Sequence, residues 1–266
     1  MSTNKILREK KPLVHCITNY VTVNDVANSI LAIGGSPIMA DDESEVEEIA
    51  GLANALVINI GTLNRRTIKS MVKAGKAAND KNIPVILDPV GAGVSSLRNE
   101  AVKNLWREIK FSVIRGNLSE IAFCAGEQAS TRGVDSGAID DEKFSAKEVA
   151  KIAAKTFECV VCVTGAEDII TDGKKFAFVQ NGVPEMSKVT GTGCMLSGII
   201  GAYAGANEKI FDATVDAVAS MGIAGEISFQ NYGEVGTGSL RLGIIDVLSK
   251  IDDDILFEAA KIRREE

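Results

Sequence analysis

Ala55-Leu-Val-Ile-Asn-Ile60 is an apolar run interrupted by one amide, and Pro84-Val-Ile-Leu-Asp88 is a second such run, with a helical period over residues 67–80 between them. Strands that are apolar on both faces and alternate with helices of ordinary length belong to a parallel sheet covered on both sides. The same rhythm extends outward. Upstream, Thr22 as N-cap opens a helix over 22–33 in which Val23, Val26, Ala27, Ile30 and Leu31 share a face, and Gly34-Gly35 stops it. Ser36-Pro-Ile-Met-Ala40 reads as a short strand and 44–53 as an acidic helix. Downstream, a helix over 98–109 leads to the strand Phe111-Ser-Val-Ile-Arg115 and a helix over 117–124.

From Cys159 the pattern changes to three strand-like runs, 159–163, 168–171 and 175–180, with Thr171-Asp-Gly-Lys174 offering hairpin chemistry, so this end of the sheet is expected to be antiparallel. After Thr192 the chain reads as helical near 193–205, 209–231, 238–250 and 253–264. Residues 126–144, polar and glycine-containing, form the longest expected loop. There is no repeat, low-complexity segment or linker, and residues 1–266 are expected to form a single domain. The 25 glycines and 5% aromatics suit helices packed closely on a sheet.

Charge and cysteine usage exclude several roles. With 29 Lys+Arg against 36 Asp+Glu the net charge is −7, which repels polyanions and argues against nucleic acid and anionic membranes as partners. No run approaches the roughly 18 apolar residues of a spanning helix, and the charged start lacks the features of a secretory signal. A cytoplasmic location is expected. The five cysteines are odd in number and scattered, which reads as free thiols. Cys159 and Cys162 have C-x-x-C spacing, but residues three apart on a strand face opposite ways. A single His, His15, leaves zinc without enough ligands.

In open parallel sheets ligands bind at the carboxyl ends of the strands. Asp88 ends a buried strand there. Glu120 opens the helix after the next strand, three residues past Asn117, a spacing that also fits a simple cap. Two carboxylates at one sheet edge suit Mg²⁺, directly or through water, since that ion prefers oxygen ligands and phosphate. The strongest local signal is Val189-Thr-Gly-Thr-Gly-Cys-Met-Leu-Ser-Gly198, a glycine turn running into an apolar helix. Such a helix start presents free N–H groups and a positive dipole end to an anion. Cys194 falls in the first turn, where the dipole favours a thiolate. Gly193, Ser197, Gly201 and Gly205 equally describe a helix packed tightly on its neighbours, and the two readings can coexist.

Six stretches together resemble the hydroxyethylthiazole kinase family: Pro12-Leu-Val-His-Cys-Ile-Thr-Asn-Tyr-Val-Thr-Val-Asn24, Ala32-Ile-Gly-Gly-Ser-Pro-Ile-Met39, Asn59-Ile-Gly-Thr-Leu63, Asp88-Pro-Val-Gly-Ala-Gly93, Arg115-Gly-Asn-Leu-Ser-Glu120 and Gly191-Thr-Gly-Cys194. They follow the family's order from about residue 11 to about 250. The resemblance implies a ribokinase-like fold: α/β, with a central, mostly parallel sheet, helices on both faces and a few antiparallel edge strands. It implies transfer of the ATP γ-phosphoryl group to the primary hydroxyl of 4-methyl-5-(2-hydroxyethyl)thiazole, a thiamine salvage step needing Mg²⁺. By position, Met39 resembles the residue whose backbone amide contacts the thiazole, Gly191 its second contact, and Asn24 is placed at the thiazole. Arg115 and Thr164 match nucleotide-phosphate positions, and Asp88 and Glu120 carboxylates near metal and phosphates. Cys194 stands where most ribokinase-like enzymes place an aspartate base. The resemblance also implies a homotrimer with active sites near subunit contacts.

Two rivals differ in what they require. Another ribokinase-like kinase, such as a hydroxymethylpyrimidine kinase, would normally carry Asp where Cys194 stands. A non-enzymatic α/β small-molecule binding protein would explain the fold without nucleotide binding. The run Asp41-Asp-Glu-Ser-Glu-Val-Glu-Glu48 reads as a solvated helix start, and His15 as a satisfied polar residue rather than a partner for Cys194.

Overall fold

The computed structural model describes residues 2–131 and 145–266. In chain order the elements are α1 (Thr3–Lys10), β1 (Leu13–Ile17), α2 (Val23–Ile33), β2 (Ser36–Ile38), α3 (Val46–Leu52), β3 (Ala55–Asn59), α4 (Arg65–Asp80), β4 (Val85–Asp88), α5 (Ser96–Glu108), β5 (Val113–Asn117) and α6 (Leu118–Thr131). Then come α7 (Ala146–Phe157), β6 (Val160–Thr164), β7 (Asp168–Thr171), β8 (Phe176–Val179), a 3₁₀ turn over Pro184–Lys188, α8 (Thr192–Ala206), α9 (Ile210–Tyr232), α10 (Thr237–Leu248), α11 (Asp253–Ala259) and β9 (Ile262–Glu265). Among the described residues the strands form one sheet in the order β2-β1-β3-β4-β5-β6-β7-β8-β9. Pairings are parallel from β2 to β6 and antiparallel from β6 to β9, as the ribokinase-like expectation requires.

Strand alternation divides the core in two. Val14, Cys16, Val57, Ile86, Val113 and Cys162 face α2, α8, α9 and α10. Leu56, Ile58, Leu87, Ile114 and Val161 face the α3–α7 layer. Cys159 and Cys162 fall on opposite sides, so the C-x-x-C spacing brings no pair together. All five cysteines are free. Helix α8 lies over the middle of the sheet, buried on nearly every residue from Met195 to Ala206, and its glycines explain the closeness. A Cβ on Gly201 would stand 2.6 Å from Val57 Cγ2, and one on Gly198 3.0 Å from Val26 Cγ1.

The structure corrects several boundaries. The helix expected over 253–264 ends at Ala259, and Ile262–Glu265 forms β9 against β8. There Arg263 lies 3.8 Å from the Phe178 ring centre and Arg264 pairs with Asp212, so charged side chains cover the sheet edge. The strand expected over 111–115 runs from Val113 to Asn117. The loop expected over 126–144 is helical to Thr131, and its part from 132 to 144 lies outside the described residues. The sequence reading had no counterpart for α1, β1 or α7. Among the described residues no helix is long and apolar enough to cross a membrane.

Candidate active site

Strands β3, β4, β5 and β6 end side by side, and what stands at their ends follows from register. Asn59 pairs with Asp88 across β3–β4, and Asn117 with Thr164 across β5–β6. Asp88 is wholly buried. Its Oδ2 accepts from Asn59 Nδ2 at 2.7 Å and Ser197 Oγ at 2.8 Å, and its Oδ1 lies 3.4 Å from Arg115 Nη1. Burial pushes the Asp88 carboxyl above its ordinary value, against the pull of Arg115 and the Ser197 and Asn59 donors. Burial works against the Arg115 charge too, but its anionic neighbours, Asp88 foremost, hold it above its ordinary value. A buried charge persists when it is paired and hydrogen-bonded, which describes this couple.

Arg115 Nη2 donates to Thr164 Oγ1 at 3.1 Å, and Thr164 in turn to Gly116 O. The guanidinium lies directly over the start of α8: a Cβ on Gly193 would stand 2.7 Å from both Nη atoms. Gly191 caps that helix at φ 91°, a left-handed conformation suited to glycine, and offers no side-chain acceptor. The first-turn N–H groups of α8, without a side-chain cap from Gly191, thus lie beside a guanidinium, an arrangement that suits phosphate.

A cavity of about 460 Å³ opens on this spot. Its lining joins Arg115, Thr164, Thr192 and Gly193 to the apolar Val183, Met186, Val218 and Met221. A second cavity, about 390 Å³, is lined by Cys16, Thr18, Tyr20, Met39, Thr62 and Arg66. Cys194 is half-buried in the first turn of α8, directly after Gly193 of the larger cavity's wall. Its Sγ accepts from Asn19 Nδ2 at 3.1 Å and from Asn59 Nδ2 at 3.3 Å. The other four cysteines are buried: Cys16 and Cys159 are pushed up to about 12 by burial, and Cys124 and Cys162 are also pushed up.

Of the residues singled out from sequence, Cys194, Arg115, Thr164 and Asp88 join one hydrogen-bonded constellation, and Met39 lines the second cavity. Glu120 stands apart from that chain. Its Oε1 accepts from Gly91 N at 2.8 Å and its Oε2 from Asn117 N at 2.9 Å, while Asn117 Oδ1 accepts from Glu120 N. The cap expected from spacing is therefore present, and Glu120 also ties down the loop after β4. Asn24 is not brought to the others: it is exposed on the first turn of α2, where its Oδ1 accepts from Asn28. His15 is buried on β1 and bonds through Nε2 to Ala40 O at 2.7 Å, so it anchors the segment after Met39.

Asn19, Asn59 and Ser197 escaped the sequence reading. For Asn59 a signal existed, a lone amide near the end of an apolar strand, in register with Asp88.

Among the described residues no group of three or more His, Cys, Asp or Glu side chains converges as a metal cage. As placed, Asp88 is wholly buried, so direct ligation by it does not fit. Glu120 is half-buried, and each of its oxygens keeps a lone pair beyond its one backbone bond, which fits holding a hydrated Mg²⁺ through water.

The model of the hydroxyethylthiazole kinase family matches residues 5–254. The chain is 55% identical over 256 residues to the hydroxyethylthiazole kinase of Ruminiclostridium cellulolyticum, covering 96% of this chain and 94% of that protein. It is 51% identical to that of Clostridium beijerinckii, with 97% and 94% covered. Among solved structures, the hydroxyethylthiazole kinase protein from Pyrococcus horikoshii superposes with a TM-score of 0.90 at 38% identity, over 99% of this chain and 98% of that one. A pyridoxal kinase from Staphylococcus aureus, at 16% identity, shares the fold with a TM-score of 0.60 over 80% of this chain and 87% of its own. With a matching family model over almost the whole length and relatives above half identity, the chain belongs to the hydroxyethylthiazole kinase family.

Proposed function

We propose that this chain, as one domain over residues 1–266, transfers the γ-phosphoryl group of ATP to the primary hydroxyl of 4-methyl-5-(2-hydroxyethyl)thiazole. The observation that carries this reading is the start of α8, where Arg115 lies over Gly193 in the wall of the larger cavity and Cys194 follows in the same first turn, held by Asn19 and Asn59. The larger cavity suits a nucleotide, its apolar residues for the base and its Arg115, Thr164 and Gly193 for phosphates. The smaller, with the Met39 backbone and the Thr18 and Thr62 hydroxyls, suits a small heterocyclic alcohol. Gly191 and Asn24 are proposed on the acceptor side by their place in the family's motifs.

Phosphoryl transfer asks a protein mainly to align the two oxygens and neutralise charge on the transferred group. The acceptor hydroxyl oxygen bonds to the γ-phosphorus as the bond to the β-bridging oxygen breaks, and the hydroxyl proton passes to Cys194 Sγ as the thiolate, giving the thiol. Arg115 and the first-turn N–H groups of α8 hold the γ-phosphate oxygens. Glu120 would hold Mg²⁺ through water, while Asp88 orients Arg115. When bound, that ion neutralises charge on the phosphates. A hydroxymethylpyrimidine kinase is not favoured, since the family match and Cys194 both point elsewhere. The chain is proposed to work as a cytoplasmic homotrimer with the exposed Tyr20 and Val21, beside the smaller cavity, near a subunit contact.

The test is direct. Incubation with ATP, Mg²⁺ and the thiazole alcohol gives a product heavier by one phosphoryl group, read by mass. Arg115→Ala is expected to raise KM for ATP about 10-fold or more while KM for the alcohol moves little, because a guanidinium suits phosphate oxygens. Equal losses for both substrates would remove the role assigned to Arg115.

A further inference from the structure

We infer that Asn19 and Asn59 are positioning residues that aim the Cys194 sulfur at the acceptor hydroxyl. The inference rests on the proton-accepting role proposed for Cys194. Each carboxamide has its orientation fixed by what holds its oxygen. Asn19 Oδ1 accepts from Thr22 N at 3.1 Å and Thr22 Oγ1 at 3.0 Å. Asn59 Oδ1 accepts from Gly61 N at 2.9 Å and from Asn19 Nδ2 at 3.1 Å. Neither amide can flip without placing an oxygen against an oxygen or an NH₂ against a donor, so both present N–H to Sγ.

The consequence lies in what remains for the sulfur. In the thiolate form the sulfur carries three electron pairs, of which two meet the amide donors, so the third, directed away from both, is left to take the proton. Rotation about Cα–Cβ alone decides where a cysteine sulfur stands, and these two contacts favour one of its staggered positions. Asn59 also donates to Asp88 Oδ2, which couples the sulfur's aim to the same buried carboxylate that faces Arg115. Thr22, Asn19, Asn59 and Gly61 come from the segments after β1 and at the end of β3, so the sequence separates what the sheet edge joins.

A double-mutant cycle on the full chain, with ATP, Mg²⁺ and the thiazole alcohol, tests this. Asn19→Ala and Asn59→Ala are each made in the wild-type and in the Cys194→Ala background, and kcat and both KM values are measured. In the wild type, kcat is expected to fall about 10-fold or more, as misplacement of a reacting group does, with KM for ATP within about twofold. In the Cys194→Ala background each further loss is expected to stay below about threefold, because there is no sulfur left to aim. Losses that multiply fully into that background, or that appear only in KM for the alcohol, overturn the inference. Full activity of Cys194→Ala overturns it too. Should Asn59→Ala lose its melting transition, Asn19→Ala, which leaves the contacts of Asp88 intact, decides alone. A wild-type chain that makes no phosphorylated product removes both this inference and the reading beneath it. An active wild type with independent losses removes this one only.

Discussion

Gly193 shows why so short a motif carries so much. It has no side chain, so the Arg115 guanidinium can rest on the helix start, where both line the larger cavity and Cys194 follows directly. Three properties of Cys194 separate on substitution: basicity, size and backbone N–H. If the thiol accepts the hydroxyl proton, Cys194→Ala is expected to lower kcat about 100-fold or more. Cys194→Ser should fall comparably, since a hydroxyl of similar size is a poor base, and Cys194→Asp should keep substantial activity because a carboxylate accepts the same proton. Wild-type kcat in all three folded variants would assign the turn's whole effect to its N–H groups. At this scale the sequence was legible where chemistry and local chain order coincide, as in Gly191-Thr-Gly-Cys194. It was not legible for Asn19 or Ser197, whose bonds to Asn59, Cys194 and Asp88 span 40 to 175 residues and whose side chains look like ordinary turn and helix residues.

The elements that could be read were those whose burial is written into their own residues. Strands β3 and β4 are apolar up to their last residues, Asn59 and Asp88, and were evident, whereas β9, Ile262-Arg-Arg-Glu265, carries three charges and becomes a strand only because β8 offers it an open edge. Strand β1 hides behind His15, a polar residue buried in the middle of its apolar run. Helix α7 did have a signal, the Ser145-Ala-Lys-Glu148 capping box, and both of its reciprocal bonds form. Helix α8 exemplifies packing decided by glycine. A methyl group on Gly201 would meet Val57 Cγ2 at 2.6 Å and Val14 Cγ1 at 3.1 Å. Both are β-branched strand residues with little room to turn. Overpacking of this kind costs about 1–3 kcal/mol, while Gly→Ala in a helix gains up to about 1 kcal/mol, so Gly201→Ala is expected to be net destabilising. Gly238, in α10, has nothing within 4 Å of its would-be Cβ, and Gly238→Ala is expected to stabilise by about 0.4–1 kcal/mol. Urea midpoints at unchanged m-value and fixed protein concentration check the opposite signs. Two shifts of the same sign would refute the packing argument.

For the whole molecule, stability against pH is set by groups that burial moves in opposite senses. Burial pushes the Asp168 carboxyl, which borders the larger cavity, up to about 6 from an ordinary 3.8. The folded chain therefore holds this proton across a window where the unfolded chain has lost it. That stabilisation is complete below pH 3.8 and disappears as pH rises through 6. His15 works the other way. Burial lowers it from 6.5, although its bond to Ala40 O opposes the shift. The unfolded chain takes up this proton first, so stability is complete above pH 6.5 and declines as pH falls below it. Each slope can be isolated by removing its group. Asp168→Asn keeps an oxygen for the Gly165 N–H and cannot ionise, so its stability relative to wild type is expected to climb between pH 4 and 7, by roughly 3 kcal/mol. His15→Gln cannot take up a proton in either state, so its stability relative to wild type should instead rise as pH falls from 7 to 5. Asp88, which burial also pushes up, is present in every protein compared and cancels in the differences. Urea unfolding at pH 4.5, 6 and 7.5, at one protein concentration, gives the two differences directly. A flat Asp168→Asn difference would mean that its carboxyl titrates alike in the folded and unfolded chain, and a flat His15→Gln difference would mean the same for the imidazole.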